Sequence, residues 1–513
     1  MTAALTHTEQ PASAAAPAGT GAGRSWAAVF TLAGFEARRL LLRVPMLLAL
    51  SLYATWIGWR TLRPSDDYPV LQDADRATQS GPLLVGLAVL LCVNQAALRS
   101  RRRDTERHFA VLALSPWRRT VAHALSVVPL ALFTAVAVTV QFTWEAVKSG
   151  AVGRGSPAEL LTGPLTVLLF GAVGVLLARL ASSAVAAPLL VVVFLLLFVA
   201  GAFPFAGRET GAAWLMPVVT TSGVHPVPSG LLGRPAAWHV LYLAGLALTV
   251  VLLAVLVAGG RSRTVQVAFA GALTLAVLGG VVQTGGVTAA TTAARARASL
   301  TPEKDQTCVR RGPTQYCAFP EWMPRVGDWA RVVDQVRALA GGGAQGRELL
   351  VRQRVEVRYG LDDDAALAPS TRPGQVTVGT SWGGNRVPEF STAVAGVLVA
   401  GDEKAAGELC DGRMVTVMWL SLGRRPDPEG ALRHVRLDDS LTGSAVVLSR
   451  TEPLTMTAGQ TKVVRALLHR PFYGVVARVK AHWAELTTPG VTTARVAELL
   501  GVPGSVGADR CGE

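Results

Sequence analysis

A serine in the last third of the chain is the first residue whose setting could do chemistry. Ser381 lies at the centre of a Gly-x-Ser-x-Gly string, 379–383, the pattern that presents a hydrolase nucleophile on a sharp turn between a strand and a helix. Gly384, Asn385 and Pro388 follow and favour a loop over that helix. The string therefore predicts a glycine-rich turn. Residues that could complete a triad are His434, His482, Asp402, Asp438 and Asp439.

The motifs of ATP hydrolysis and of zinc peptidases do not occur in the sequence. The segment 459–462 (GQTK) lacks the glycine spacing with which backbone N–H groups cradle a phosphate, and there is no HExxH string. His482 and Glu485 share a predicted helix face but have no third metal ligand at a recognisable spacing. We therefore predict that this chain is not an enzyme and holds no cofactor or metal.

The five cysteines point to an oxidising compartment. Cys92 lies in an apolar run and is expected to be a small buried filler. Cys308, Cys317, Cys410 and Cys511 all lie in the last third, and an even set outside the membrane is typical of disulfides. We favour pairing Cys308 with Cys317 and Cys410 with Cys511, although four cysteines permit three pairings and free thiols are the alternative.

Long apolar runs dominate the first 290 residues. The chain has 513 residues, 50% apolar and 16% charged, with a mean hydropathy of +0.37. A helix that crosses a bilayer needs roughly 20 mostly apolar residues. Seven runs approach that length: 44–59, 81–98, 121–144, 160–178, 184–203, 236–259 and 265–287. The fourth is the weakest, because Gly163 and Pro164 interrupt its start, so six crossings are the alternative to seven.

The distribution of arginines predicts the orientation of these runs. Residues 1–290 carry +10 of the net charge of +14, between the apolar runs, and we expect no nucleic-acid partner from that arrangement. With a cytoplasmic N-terminus, 14 arginines face the cytoplasm against seven cations on the other side. Cytoplasmic loops carry such an excess. An odd number of crossings then leaves the C-terminal region outside the cytoplasm.

The predicted fold is an α-helical polytopic membrane bundle followed by a mixed α/β extracytoplasmic domain. Its parts are a disordered cytoplasmic leader (1–23), an amphipathic interfacial helix (24–43), the transmembrane domain (44–287), a linker (288–300) and the extracytoplasmic domain (301–513). Within the last part, periodicity predicts strands at 350–359, 375–378, 397–400 and 445–448, and helices at 329–339, 463–468, 472–486 and 492–500.

Two basic segments would face the cytoplasm. Residues 24–43 place Trp26, Phe30 and Phe35 near helical spacing and cluster their charges later, which is typical of a helix lying in the membrane interface. The loop 99–120 is long and arginine-rich, and it contains a short apolar segment, 109–114, that Ser115 and Pro116 follow. Such segments either dock a soluble partner or serve only as charge anchors.

Together these segments resemble the membrane subunits of type-2 ABC exporters, the ABC-2-type permeases. The likeness covers roughly residues 24–260 and rests on the Phe-Glu-Ala-Arg-Arg string at 35–39 and on the sequence of charged residues, short apolar helix, Ser-Pro and basic residues at 105–120. In that family a connecting helix and this loop receive the conformational change of the ATPase subunit. A seventh span and an external domain depart from the family pattern of six.

The resemblance implies a permease subunit that a separate ABC ATPase chain energises from the cytoplasmic side, with a second permease copy, identical or not, completing the path in the lipid bilayer. The residues that would contact the ATPase are Glu36, Arg38, Arg39, Arg103, Glu106, Arg107, Leu112, Pro116, Arg118 and Arg119. Two alternatives stay open: a membrane-anchored external enzyme or binding module with Ser381 as nucleophile, and a transmembrane sensor.

Overall fold

The N-terminal part of the chain is a bundle of helices. The structure is a computed structural model that describes residues 21–61, 68–102, 114–205, 211–219, 226–361 and 367–504. The bundle helices are α1 (Gly21–Leu41), α2 (Val44–Thr61), α3 (Leu71–Ala77), α4 (Ser80–Arg102), α5 (Pro116–Leu125), α6 (Val128–Ala146), α7 (Pro157–Leu180), α8 (Ala186–Phe205), α9 (Ala236–Val257) and α10 (Arg263–Gln283). The predicted leader, 1–23, lies outside the described residues except for its last three, which begin α1.

Six of the seven apolar runs predicted from the sequence each correspond to one helix, and the run 121–144 is divided between α5 and α6. Within the described residues, five segments are long and apolar enough to cross a bilayer: Leu71–Arg99, Pro116–Ala146, Pro157–Leu180, Ala236–Val257 and Arg263–Gln283. A sixth candidate is α1 together with α2, which meet at a bend of 64°. The described part of α8, Ala186–Val199, is apolar but shorter. The chain therefore has the helices of a membrane protein.

Helix α7 is the centre of the bundle. It is continuous from Pro157 to Leu180, so the expected interruption at Gly163 and Pro164 is wrong. Both residues are buried, and glycines elsewhere on α7 permit close contact: Gly174 lies against the backbone of Leu90 on α4. Helix α4 runs in the same direction as α7, because contacts follow the same order along both helices: Gly86 meets Phe170, and Asn94 donates a hydrogen bond of 3.2 Å to the Gly174 carbonyl. Packing against neighbours lets α7 tolerate the proline.

Small residues bring α9 and α10 together. Ala272, Ala276 and Gly279 of α10 are buried. A side chain at Gly245 of α9 would come within 2.5 Å of the Ala276 backbone nitrogen, and one at Gly279 within 2.7 Å of the Tyr242 nitrogen. Only small residues allow two helix backbones to approach so closely. This stripe thus packs within the bundle.

The C-terminal part, here called the tail, is a separate α/β layer structure. Its helices are α11 (Ala289–Leu300), α12 (Val326–Leu339), α13 (Arg386–Ala400), α14 (Glu403–Gly407), α15 (Arg413–Leu422), α16 (Pro428–Val435), α17 (Ala458–Leu468), α18 (Phe472–Ala481), α19 (Trp483–Leu486) and α20 (Thr493–Leu500). Its strands are β1 (Thr307–Arg311), β2 (Thr314–Ala318), β3 (Leu349–Gln353), β4 (Gln375–Val378), β5 (Ala445–Val447) and β6 (Leu454–Met456).

The four strands β1 to β4 form a sheet in sequence order. β1 and β2 are antiparallel, whereas β2, β3 and β4 are parallel. Helix α12 connects β2 to β3, and α13 follows β4, so buried apolar residues of both helices cover the sheet. Helix α13 is buried on all sides between Pro388 and Val399. β5 and β6 form a second, two-stranded sheet.

Several local predictions for the tail need correction. The segment 397–400 was expected to be a strand because it is a short apolar, valine-rich run, but it is the last turn of α13, since such a run fits a fully buried helix equally well. The predicted strand 350–359 ends at Gln353. The predicted helix 472–486 is divided at His482. The expected linker, 288–300, contains the helix α11, which Thr288 caps.

Candidate functional site

Helix α1 packs against the start of α5 and the end of α4, at what we call the arginine-rich end of the bundle. Val29 and Ala33 of α1 form an apolar cluster with Ala122 of α5, and Trp26 meets Trp117 edge-on at 6.1 Å. The larger apolar residues Phe30 and Phe35 are exposed on the other side of α1. Small buried residues on one face and large exposed ones on another are what a helix between a bundle and lipid requires.

A charged contact links α1 to α4. Glu36 is 5% exposed and lies on the packed face of α1, where its carboxylate forms an ion pair with Arg99 at 3.4 Å. Two residues beyond α1, Arg43 donates a hydrogen bond of 2.8 Å to the Cys92 carbonyl of α4 and one of 3.3 Å to Gln95. A buried carboxylate that loses its partner is costly. These contacts fix the position of α1 relative to α4.

The residues expected to contact a partner lie near this connection. Arg38 and Arg39 are exposed next to the buried Glu36. Pro116 is the first residue of α5, so Ser115 and Pro116 begin a helix, and the guanidinium of Arg118 lies 5.1 Å above the Trp117 ring. Arg119 follows on α5. Four expected contacts, Arg103, Glu106, Arg107 and Leu112, lie outside the described residues, as does most of the apolar segment 109–114.

The opposite end of the bundle is in contact with the tail, and we call it the tail end. Loops that follow α2, α6 and α8 all meet the tail there. Val70, Val152, Val227 and Leu231 belong to the apolar core of the tail. The Glu321 carboxylate accepts hydrogen bonds from the backbone N–H (3.0 Å) and from the hydroxyl of Ser229. The backbone carbonyl of Glu321 accepts a hydrogen bond from the Gly153 N–H.

Arginines of the tail strengthen this contact by donating to backbone carbonyls of the bundle loops. Arg325, 1% exposed, donates to the Tyr68 carbonyl at 2.7 Å and to the Thr380 carbonyl at 2.8 Å. Arg295 donates to the carbonyls of Leu231 and Leu232. Burial lowers the pKa of Arg325 to about 10, so the guanidinium stays charged at neutral pH. Charge-assisted bonds of this kind are the stronger ones.

Just inside the tail end, helix termini bring together buried polar groups that we call the junction cluster: Asp75, Arg76, Glu159, His239 and Gln283. Asp75, Glu159, His239 and Gln283 are 1–2% exposed. The His239 Nδ1 and the Gln283 Oε1 are 3.0 Å apart, and the Glu159 carboxylate accepts a hydrogen bond from the Gln79 amide. Trp214 lies between Arg76 and His239, with its ring 5.0 Å from the guanidinium and 5.5 Å from the imidazole.

Two residues in the junction cluster each keep one buried polar atom unpartnered within the described residues: Glu159 Oε1 and Gln283 Nε2. Buried polar atoms are nearly always hydrogen-bonded, because an unpaired one costs about 1–3 kcal/mol. Ionisable groups buried among spanning helices typically mark a polar path for substrate or ions. The sequence analysis missed this cluster, although Asp75, Arg76 and Glu159 stand close to the starts of two predicted spans.

Ser381 lies in a loop rather than on a nucleophile elbow. Helix α13 begins five residues later at Arg386, and the loop contains two left-handed glycines, Gly383 and Gly384. His434 is paired with Asp439 at 3.3 Å, and both are exposed. Among the described residues no hydrogen bond joins Ser381 to a histidine. The geometry therefore matches the turn that the sequence predicts.

One predicted disulfide is present. Cys308 and Cys317 face each other across β1 and β2 and are bonded. Cys410 is also disulfide-bonded, and its expected partner Cys511 lies outside the described residues. Cys92 is a buried free thiol, as expected.

The described residues contain no group of three or more histidine, cysteine, aspartate or glutamate side chains arranged to hold a metal ion. His482 and Glu485, which share a predicted helix face, have another structural explanation: the Glu485 carboxylate accepts a hydrogen bond of 2.6 Å from Arg495. Comparison of the whole chain with protein-family models, with curated proteins and with solved structures found no match.

Proposed function

We propose that this chain is the permease subunit of a membrane exporter that a separate ATPase chain energises. In this proposal the seven apolar helices α2, α4, α5–α6, α7, α8, α9 and α10 each cross the bilayer. The arginine-rich end then faces the cytoplasm, as the excess of cations in cytoplasmic loops requires. The tail lies on the opposite, extracytoplasmic side, where its disulfides are stable.

The observation that carries the proposal is the connection from α1 to α4 through Glu36 and Arg99. An exposed pair of arginines, Arg38 and Arg39, stands beside that buried ion pair, so a soluble partner bound to α1 acts directly on a spanning helix. The absence of a phosphate-binding loop motif in the sequence is consistent with ATP hydrolysis on a partner.

The junction cluster supports a transport path over a passive anchor. A membrane anchor gains nothing from charged residues inside its helices, because each must be desolvated. Here two carboxylates, an arginine and a histidine lie on α3 and at the starts of α7 and α9, next to the tail. In the proposal they line the exit of the path, and a second permease copy completes it.

Partner binding provides the test. An affinity-tagged chain is expected to co-purify with an ABC ATPase subunit from its native membranes. Joint replacement of Arg103, Glu106 and Arg107 by glutamine should abolish this association, and Glu36→Gln should weaken the coupling of ATP hydrolysis to transport. Arg310→Gln is the matched control, because Arg310 is an exposed arginine of the tail. If the wild-type chain recovers no ATPase, or if the triple variant recovers as much as the wild type, the proposal is wrong.

A further inference from the structure

A cleft in the tail lies between three helices, α12, α13 and α15. Most of its space is open to solvent, and the enclosed part has room for about one water molecule. Its lining is Gln335 and Val336 of α12, Ser391 of α13, Leu420 and Ser421 of α15, and Arg424 and Arg425 just beyond α15. A group larger than water therefore binds at the open mouth of the cleft.

The wall of the cleft is polar and already ordered. The Ser391 hydroxyl donates to the Ser421 carbonyl at 3.0 Å, and the hydroxyls of Ser421 and Thr392 are 2.8 Å apart. Ser391 and Ser421 are each less than 5% exposed. These bonds fix the end of α15, so the two arginines that follow it extend from a rigid support.

Arg424 and Arg425 have no acidic partner. Within the described part of the chain, neither guanidinium makes a hydrogen bond or an ion pair. Arg424 is exposed, whereas Arg425 is partly withdrawn from solvent. Burial lowers the pKa of Arg425, and no carboxylate offsets that effect. A guanidinium in such a setting is stabilised by any anion that can reach it.

Other arginines of the tail pair with an acidic residue two positions away. Arg413 pairs with Asp411, Arg436 with Asp438 and Arg358 with Glu356. Asp427 stands at the same spacing from Arg425, but its carboxylate instead accepts a hydrogen bond of 2.9 Å from the Gly430 N–H and caps α16. The nearest acid in sequence is therefore used elsewhere, and Arg425 is left for another anion.

We propose that Arg424 and Arg425, together with the Gln335 amide, bind a single oxyanion, the phosphate or carboxylate group of a ligand. A guanidinium presents paired N–H donors that match two oxygens of either group. The amide of Gln335, which lines the same cleft, adds a further donor. This site is independent of the transport proposal, because it uses no residue of the bundle.

Calorimetry and thermal unfolding of the detergent-solubilised full chain test the site, with inorganic phosphate and acetate in separate titrations at constant ionic strength. We expect saturable binding of at least one of the two, and the arm that binds identifies the phosphate or carboxylate class. Arg425→Gln should weaken binding about tenfold or more, the loss expected for a charge-assisted hydrogen bond.

Two further variants keep the test decisive. Arg424→Gln, at an exposed position, should also weaken binding and is expected to fold even if Arg425→Gln does not. Arg433→Gln, an exposed arginine of the neighbouring α16 outside the cleft lining, should leave binding unchanged. The proposal is overturned if the wild-type chain binds neither anion saturably, or if Arg433→Gln reduces binding as much as the cleft variants do.

Discussion

Glu321 in the tail accepts hydrogen bonds from both the N–H and the hydroxyl of Ser229, which stands 92 positions earlier in the loop between α8 and α9. The Glu321 carbonyl also accepts the N–H of Gly153, from the loop between α6 and α7. Glu321 thus joins the loop after α6 to the loop after α8. Both loops therefore lie at the same end of the bundle, next to the tail.

Breaking this contact should loosen the tail from the bundle. Glu321→Ala removes two acceptors and leaves the Ser229 donors unpaired, and we expect it to lower the free energy of unfolding by about 1–3 kcal/mol. Ser229→Ala should cost less. A double-mutant cycle by thermal unfolding of the solubilised chain should give a coupling of about 1 kcal/mol. Glu348→Ala is the control, since Glu348 belongs to an exposed ion pair with Arg310. Additive effects at 229 and 321 would contradict the contact.

The close contact of α9 and α10 predicts a sharp difference between glycines. Gly279→Ala should destabilise the solubilised chain by about 1–3 kcal/mol, because the added methyl group meets the Tyr242 backbone at 2.7 Å. Gly271→Ala, on the same helix, has nothing within 4 Å and should leave the melting temperature unchanged or slightly raised. Equal melting temperatures for the two variants would argue against this packing.

Asp411 predicts an acid-dependent stability of the tail. Its carboxylate is partly buried, which raises its pKa, but bonds from the Arg413 side chain, from the Gly490 N–H and from the Arg413 N–H outweigh that effect and lower the pKa below 3.8. A lowered folded-state pKa means stability that is present above about pH 3.8 and is lost as pH falls through the folded value.

The corresponding substitution is Asp411→Asn. At pH 7 we expect it to cost about 1 kcal/mol, after allowance for solvent screening, and the cost should shrink as pH falls below 3.8. Thermal unfolding between pH 7 and pH 3 measures the difference. Asp334→Asn, on an exposed face of α12, should change stability by less than about 0.5 kcal/mol at either pH. A cost at Asp411 that does not depend on pH would refute this assignment.

The Cys308–Cys317 disulfide closes a short loop, with a sequence separation of nine. Chain-entropy arguments for a loop of this size give about 2.5 kcal/mol of stabilisation. A Cys308→Ser, Cys317→Ser double variant should therefore have a lower melting temperature than the wild type. Reductant should lower the melting temperature of the wild type, and it should lower that of the double variant by less, because this disulfide is no longer there to be reduced. Identical melting with and without reductant would show that the disulfide does not stabilise the chain.

Much of the helical part was readable because membrane helices depend on local composition. All seven predicted runs are helical, and even the run with Pro164 continues, since its neighbours compensate for the proline. The strand 375–378 was likewise predictable from spacing. The structure of the segment 397–400 was not predictable, because the spacing of apolar residues alone cannot distinguish a buried strand from a buried helix.

The two candidate regions differ in how far the sequence reveals them. Glu36, Arg38 and Arg39 stand together in sequence, so the arginine-rich end could be anticipated. The junction cluster combines Asp75, Glu159, His239 and Gln283 from four distant positions, and only tertiary packing brings them together. The contact of Glu321 with Ser229 has the same origin. No local pattern signals such groups.

The proposed function requires that the tail and the arginine-rich end lie on opposite sides of a membrane. Tyr473→Cys provides a label site that is 84% exposed in the tail, and Arg261→Cys provides one in the exposed loop between α9 and α10. A membrane-impermeant maleimide should label Tyr473→Cys in intact cells and Arg261→Cys only after lysis, with the wild-type chain as background. Labelling of Arg261→Cys, but not Tyr473→Cys, in intact cells would contradict the account, as would labelling of both to the same extent.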